Sequence, residues 1–136
     1  MSINESKILV IIMIQFERLK VNSPNIVHET IDGEAILLDL RSGNYFSLDG
    51  VGAIIWEFTD KTGNWGEVIN VMVAANESRK ETISDSIKSF IEDLVNENLL
   101  VQASNSKSAN DVTELTELLK VAAVDFKPPM VNKYSD

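Results

Sequence analysis

Between Ile26 and Leu48 the apolar residues come in short β-branched or aromatic runs broken by turn signals; past Leu48 they recur every three or four residues. That change of period predicts strands followed by helices. Ile26–Ile31 reads as the first strand, and Asp32-Gly33 is a strong tight-turn dipeptide. Ala35–Asp39 returns antiparallel, Arg41–Gly43 turns again, and Asn44–Leu48 completes a meander. Val51, Ile54, Ile55 and Phe58 then mark a first helix, capped by Ser47 or Asp49 and ending near Asp60. Asn64 and Glu67 are spaced as a capping box for a second helix with Trp65, Val68, Ile69, Met72 and Val73 on its stripe, ending around Asn76.

The third helix carries Ile83, Ile87, Phe90, Ile91, Leu94 and Val95, with Thr82 as its cap. These positions span an arc of about 140°, wider than the roughly 100° a one-sided surface helix needs. The excess lies at Ile91 and Val95, beside Ser84 and Lys88, and has two readings: a groove-facing flank or plain core. Leu99–Val101 returns as a short extended segment. Gln102–Asn110 reads as a flexible linker, and Asp111–Val124 as an amphipathic helix with Leu115, Leu118, Leu119 and Ala122 on one face. Pro128 and Pro129 then force an extended tail. The division is an N-terminal arm (1–20), a folded domain (21–101) and an extension of linker, helix and tail (102–136). Phe16–Lys20 leads into a turn-rich joint, Val21–Asn25.

Composition narrows the function classes. The chain has 136 residues, 44% apolar, and a net charge of −9. Residues 21–101 carry 14 Asp/Glu against 5 Lys/Arg, so the acidity belongs to the folded domain and argues against a nucleic-acid partner. Without cysteine there is no disulfide, thiolate metal site or cysteine nucleophile, which fits a reducing cytoplasm. Ile8–Ile14 is seven apolar residues, too short for a membrane helix, and reads as a strand or a sticky arm; Met13 is a second candidate start. The single His28 reads as structural, and the carboxylates show no metal spacing. Trp56 lies off the first helix's stripe and reads as packed under the arm, with an exposed contact role as the alternative. No catalytic constellation, metal site or cofactor loop emerges, and the chain reads as a binding module rather than an enzyme.

The third strand is the feature that suggests a ligand. An open sheet edge presents unpaired N–H and C=O groups, which natural sequences blunt with Lys or Pro. Asn44, Tyr45, Phe46, Ser47 and Leu48 include neither, so this edge is expected to accept an extended peptide as a further strand.

Gly43-Asn44-Tyr45-Phe46-Ser47-Leu48 running into Gly52-Ala53-Ile54-Ile55-Trp56-Glu57, then Trp65–Val73 and the ending Phe90–Val101, resembles the PqqD family over about residues 21–101. The resemblance implies an α+β fold, a three-stranded antiparallel meander followed by a three-helix bundle of winged helix-turn-helix type. It also implies a peptide chaperone: the recognition element that presents the leader of a ribosomally made precursor peptide to a modifying enzyme or leader peptidase. The leader would dock antiparallel on the third strand, in a groove closed by the third helix, here Asn44–Leu48 with Ser84, Lys88, Ile91 and Val95. A winged-helix DNA-binding regulator shares the architecture. The third helix offers only Lys88 between Thr82 and Asn98, however, against Asp85, Glu92, Asp93 and Glu97. A homodimer joined through the same edge is the third class.

The tail adds one more expectation. Phe126-Lys127-Pro128-Pro129-Met130-Val131 resembles the aromatic-x-x-Pro-x-aliphatic pattern of lasso-peptide leaders. It reads either as a proline-containing terminus or as a leader mimic that occupies the edge of its own or a neighbouring molecule.

Overall fold

The computed structural model describes residues 18–104 and 111–135. Strand β2 (Ile26–Ile31) turns through Asp32 and Gly33, whose φ values of 51° and 79° suit a two-residue hairpin, into β3 (Glu34–Asp39). The next turn is held by Asp39. Its carboxylate accepts the Arg41 N–H at 2.9 Å, its own N–H donates to Asn44 O, and its C=O accepts the Gly43 N–H. Strand β4 (Tyr45–Asp49) then pairs with β3 in the register Leu38↔Tyr45, Leu37↔Phe46 and Ile36↔Ser47. Ala35, Leu37, Phe46 and Leu48 point inward and are buried.

The helices are α1 (Val51–Thr62), α2 (Trp65–Ala75), α3 (Lys80–Asn96) and α4 (Thr113–Val124), with a 3₁₀ turn at Glu77–Arg79. Gly63, at φ 72°, ends α1 by returning its N–H to Thr59 O. Asn98, at φ 60°, ends α3, where the Leu99 N–H reaches back to Leu94 O. The fold class is α+β, as expected, but several details differ.

Neither Ser47 nor Asp49 caps α1: β4 runs on to Asp49, and Gly50 stands at the N-cap without a side-chain bond. Asn64 does cap α2, accepting the Glu67 N–H at 3.3 Å. The box is not reciprocal, because the Asn64 N–H goes to Thr62 Oγ1 and Glu67 turns to Asn70. Thr82 lies inside α3, since the 3₁₀ turn feeds the helix from Lys80.

The turn of the expected joint falls at Ser23–Asn25, but Val21 belongs with Leu19 and Lys20 of the lead-in to a strand, β1, paired antiparallel with β5 (Leu100–Gln102). Leu19 and Val21 are buried, and the Arg18 guanidinium donates to Thr62 O at the end of α1. Three residues are too few for an alternating pattern to show. The paired segments therefore begin before residue 21 and end after residue 101. Ile8–Ile14 lies outside the described residues.

Helix α4 packs on α1 and α2 through Leu119 and Ala123, with Leu115 and Ala122 half-buried, while Leu118 is exposed. Asn76 Nδ2 donates to Ala123 O at 2.8 Å and fixes its end. The chain then crosses the start of α1 and forms β6 (Asn132–Tyr134). The main sheet thus has four strands in the order β2-β3-β4-β6, one more than the meander.

Candidate peptide-binding edge

Backbone direction alternates along β4. The Asn44 C=O accepts from Asp39, so Asn44, Phe46 and Leu48 turn their main-chain groups towards β3. Ser47 O instead accepts from Asn132 Nδ2 at 3.4 Å, so Tyr45 and Ser47 turn theirs outward. Strand β6 lies on that outward edge, antiparallel, in the register Tyr45↔Tyr134, Phe46↔Lys133 and Ser47↔Asn132.

Four side chains of the tail make further contacts. Tyr134 stacks on Tyr45 with ring centroids 4.9 Å apart and planes at 15°. Lys133 Nζ lies 3.0 Å from Glu97 Oε2 and 5.9 Å from the centre of the Phe46 ring. Pro129 sits where α1 begins: a Cβ placed on Gly52 would lie 3.3 Å from the Phe90 ring and 3.6 Å from Pro129. Phe126 is buried under the Arg79 guanidinium, which stands 5.7 Å from the ring centre and donates to Phe126 O at 3.1 Å. Between the tail and the β4–α1 junction lies a cleft of about 410 Å³ that includes Asp49, Val51, Pro129 and Met130.

The flank of α3 that meets the tail carries Phe90 and Glu97, which lies just past the helix end. At 100° per residue both lie at least about 100° round the axis from Ile91 and Val95. Ile91 and Val95 are themselves buried, at 0% and 4% exposure, which favours the core reading of that flank. Ser84 lines a groove between α2 and α3, and Lys88 is exposed. The expected residues therefore divide: Asn44–Leu48 lie on or beside the paired edge, whereas Ser84, Lys88, Ile91 and Val95 point elsewhere. Phe90 had the same apolar signature as any core residue, and Glu97 lay beyond the periodic stripe, so neither stood out.

The charge of this flank is negative. Partial desolvation, although the residue is largely exposed, and then the neighbouring Glu97 charge push the Asp93 carboxyl above the usual range. At the β3–β4 turn burial also pushes Asp39 upward. Hydrogen bonds from the Arg41 N–H and guanidinium, the Arg41 charge and the Ser42 N–H outweigh it, so its carboxyl sits below the usual range.

The far edge strand of the sheet, β2, holds His28. Its Nδ1 accepts from Trp56 Nε1 at 3.1 Å, and its Nε2 lies 3.9 Å from Asp60. Trp56 is fully buried, which excludes the exposed contact role; all of the arm expected to cover it except Arg18–Lys20 lies outside the described residues. Among the described residues no three His, Asp or Glu side chains are placed to hold a metal ion, and no helix is long and apolar enough to cross a membrane.

Residues 34–100 match the family described as coenzyme PQQ synthesis protein D (PqqD). The chain belongs to the PqqD family through this domain. The matched segment takes in β3, β4, α1, α2 and α3 and stops at the start of β5, so β6 and α4 lie outside it. Among solved structures the chain is similar to TbiB1 in complex with the TbiA(beta) leader peptide. The identity is 30%, over 63% of this chain and 99% of that one, with a TM-score of 0.49. No curated protein matches the chain.

Proposed function

We propose that this PqqD-family protein is a non-catalytic recognition element. It binds the leader of a ribosomally made precursor peptide by strand addition on β4 and presents it, in the cytoplasm, to a modifying enzyme or leader peptidase. The observation that carries this reading is β6 itself: an extended segment from outside the domain already lies antiparallel on the outward edge of β4. Main-chain hydrogen bonds give any such strand its register, and selectivity comes from side chains entering pockets at alternate positions. The groups the tail touches, the Tyr45 ring, Glu97 and the Gly52–Phe90 corner, are the ones this reading assigns to the leader. The acidity of the domain favours a basic ligand and rejects acidic ones.

The test titrates synthetic leader segments against the full chain, taken from any short precursor peptide that a search of the neighbouring genes yields. Tyr45→Pro and Ser47→Pro each remove an N–H that faces outward rather than towards β3. Peptide affinity is expected to fall by more than thermal stability does. If both well-folded variants bind as the wild type does, strand addition is wrong.

A further inference from the structure

The tail is attached in two unequal ways. Its root is deep: α4 is docked through Leu119 and Ala123, and Phe126 is buried beneath Arg79. Its tip is shallow. Strand β6 has three residues against the five of β4, Lys133 and Tyr134 remain 47% and 44% exposed, and Val131 is only half-buried. A strand meant to close the edge for good would cover more of β4 and bury its own side chains. A firm root instead keeps a weak tip at a local concentration of about a millimolar, enough to fill a poor site.

We propose that β6 is a built-in occupant of the peptide edge, which an incoming leader must displace. Its contacts define that leader as a segment with a basic residue opposite Glu97 and an aromatic beside Tyr45. This rests on the leader reading above. Displacement needs only the tip to leave, because the contacts of α4 and Phe126 lie off the edge. The apparent affinity for a leader is lowered by the fraction of molecules whose edge is closed, so nine-tenths occupancy weakens binding about tenfold.

The experiment compares the full wild-type chain with full-length K133E/Y134A, which sets a carboxylate against Glu97 and removes the ring stacked on Tyr45. Both side chains are substantially exposed, so the variant is expected to fold. The probe is a fluorescent synthetic peptide of residues 129–136, read by anisotropy. The variant should take it up about tenfold more tightly than the wild type, and adding Glu97→Lys to the variant should abolish uptake. Equal uptake by both proteins, or none by either, would make β6 a fixed fourth strand and overturn the proposal. Since the probe is the protein's own tail, the outcome does not depend on which leader is natural. A leader that binds both proteins equally would sink the occupant and leave the leader reading standing.

Discussion

Ser47 shows how one residue can be assigned to the site and not to the scaffold. Its carbonyl faces Asn132 while the groups of its neighbours Phe46 and Leu48 face β3. Proline there should spare the meander, whereas Leu48→Pro should unfold the domain, a contrast that far-UV circular dichroism would show. Asp93 gives a second prediction. Its folded pKa is raised, by partial desolvation and then by Glu97, so its charged form is disfavoured in the folded protein. That contribution to stability is present at low pH and is lost as the pH rises through the raised value. Asp93→Asn should therefore stabilise the protein at neutral pH, and the gain should fade in melts taken below the carboxylate range. Asp39 has the opposite sign. Its lowered pKa contributes stability at neutral pH that disappears only as the pH falls through the folded value.

At the scale of elements, much of the fold is legible in the sequence. Asp32-Gly33 set the first hairpin, the change of period after Leu48 marked α1, and Asn64 marked the start of α2. Asn64→Ala should cost about 1 kcal/mol in urea unfolding. What escaped had physical causes. Strand β1 has a single polar residue between two apolar ones, and β6 is Asn-Lys-Tyr, with no pattern at all. The register of β6 is set by Glu97, Tyr45 and Ser47, all remote in sequence. The wide apolar arc of α3 proved ambiguous because a helix buried on two sides and one bordering a groove share that pattern. With Ile91 fully buried, Ile91→Asp should cost several kcal/mol and lower the melting temperature of the free protein before any peptide is added.

At the scale of the molecule, the domain and its C-terminal extension meet on one edge. The PqqD-family segment supplies β4 and the Phe90–Glu97 flank; the extension supplies a docked helix and a strand that fits between them. Lys133 and Glu97 are both partly exposed, so the pair is worth only about 0.2–1 kcal/mol and weakens with salt. Raising the ionic strength should therefore loosen β6 without melting the core. The acidic edge also accounts for why a DNA-binding reading fails to use the same surface: the groups around it, Asp93 and Glu97 among them, would repel phosphates.

Amide hydrogen exchange on the full chain, with and without a saturating leader peptide, tests the central claim most directly. Strand addition predicts that one partner replaces another: Tyr45 and Ser47 stay protected while the amides of Asn132 and Tyr134, which face them, become free to exchange. If the peptide binds and β6 keeps its protection, or if β4 loses protection while the peptide is bound, the leader does not occupy this edge and the account is contradicted.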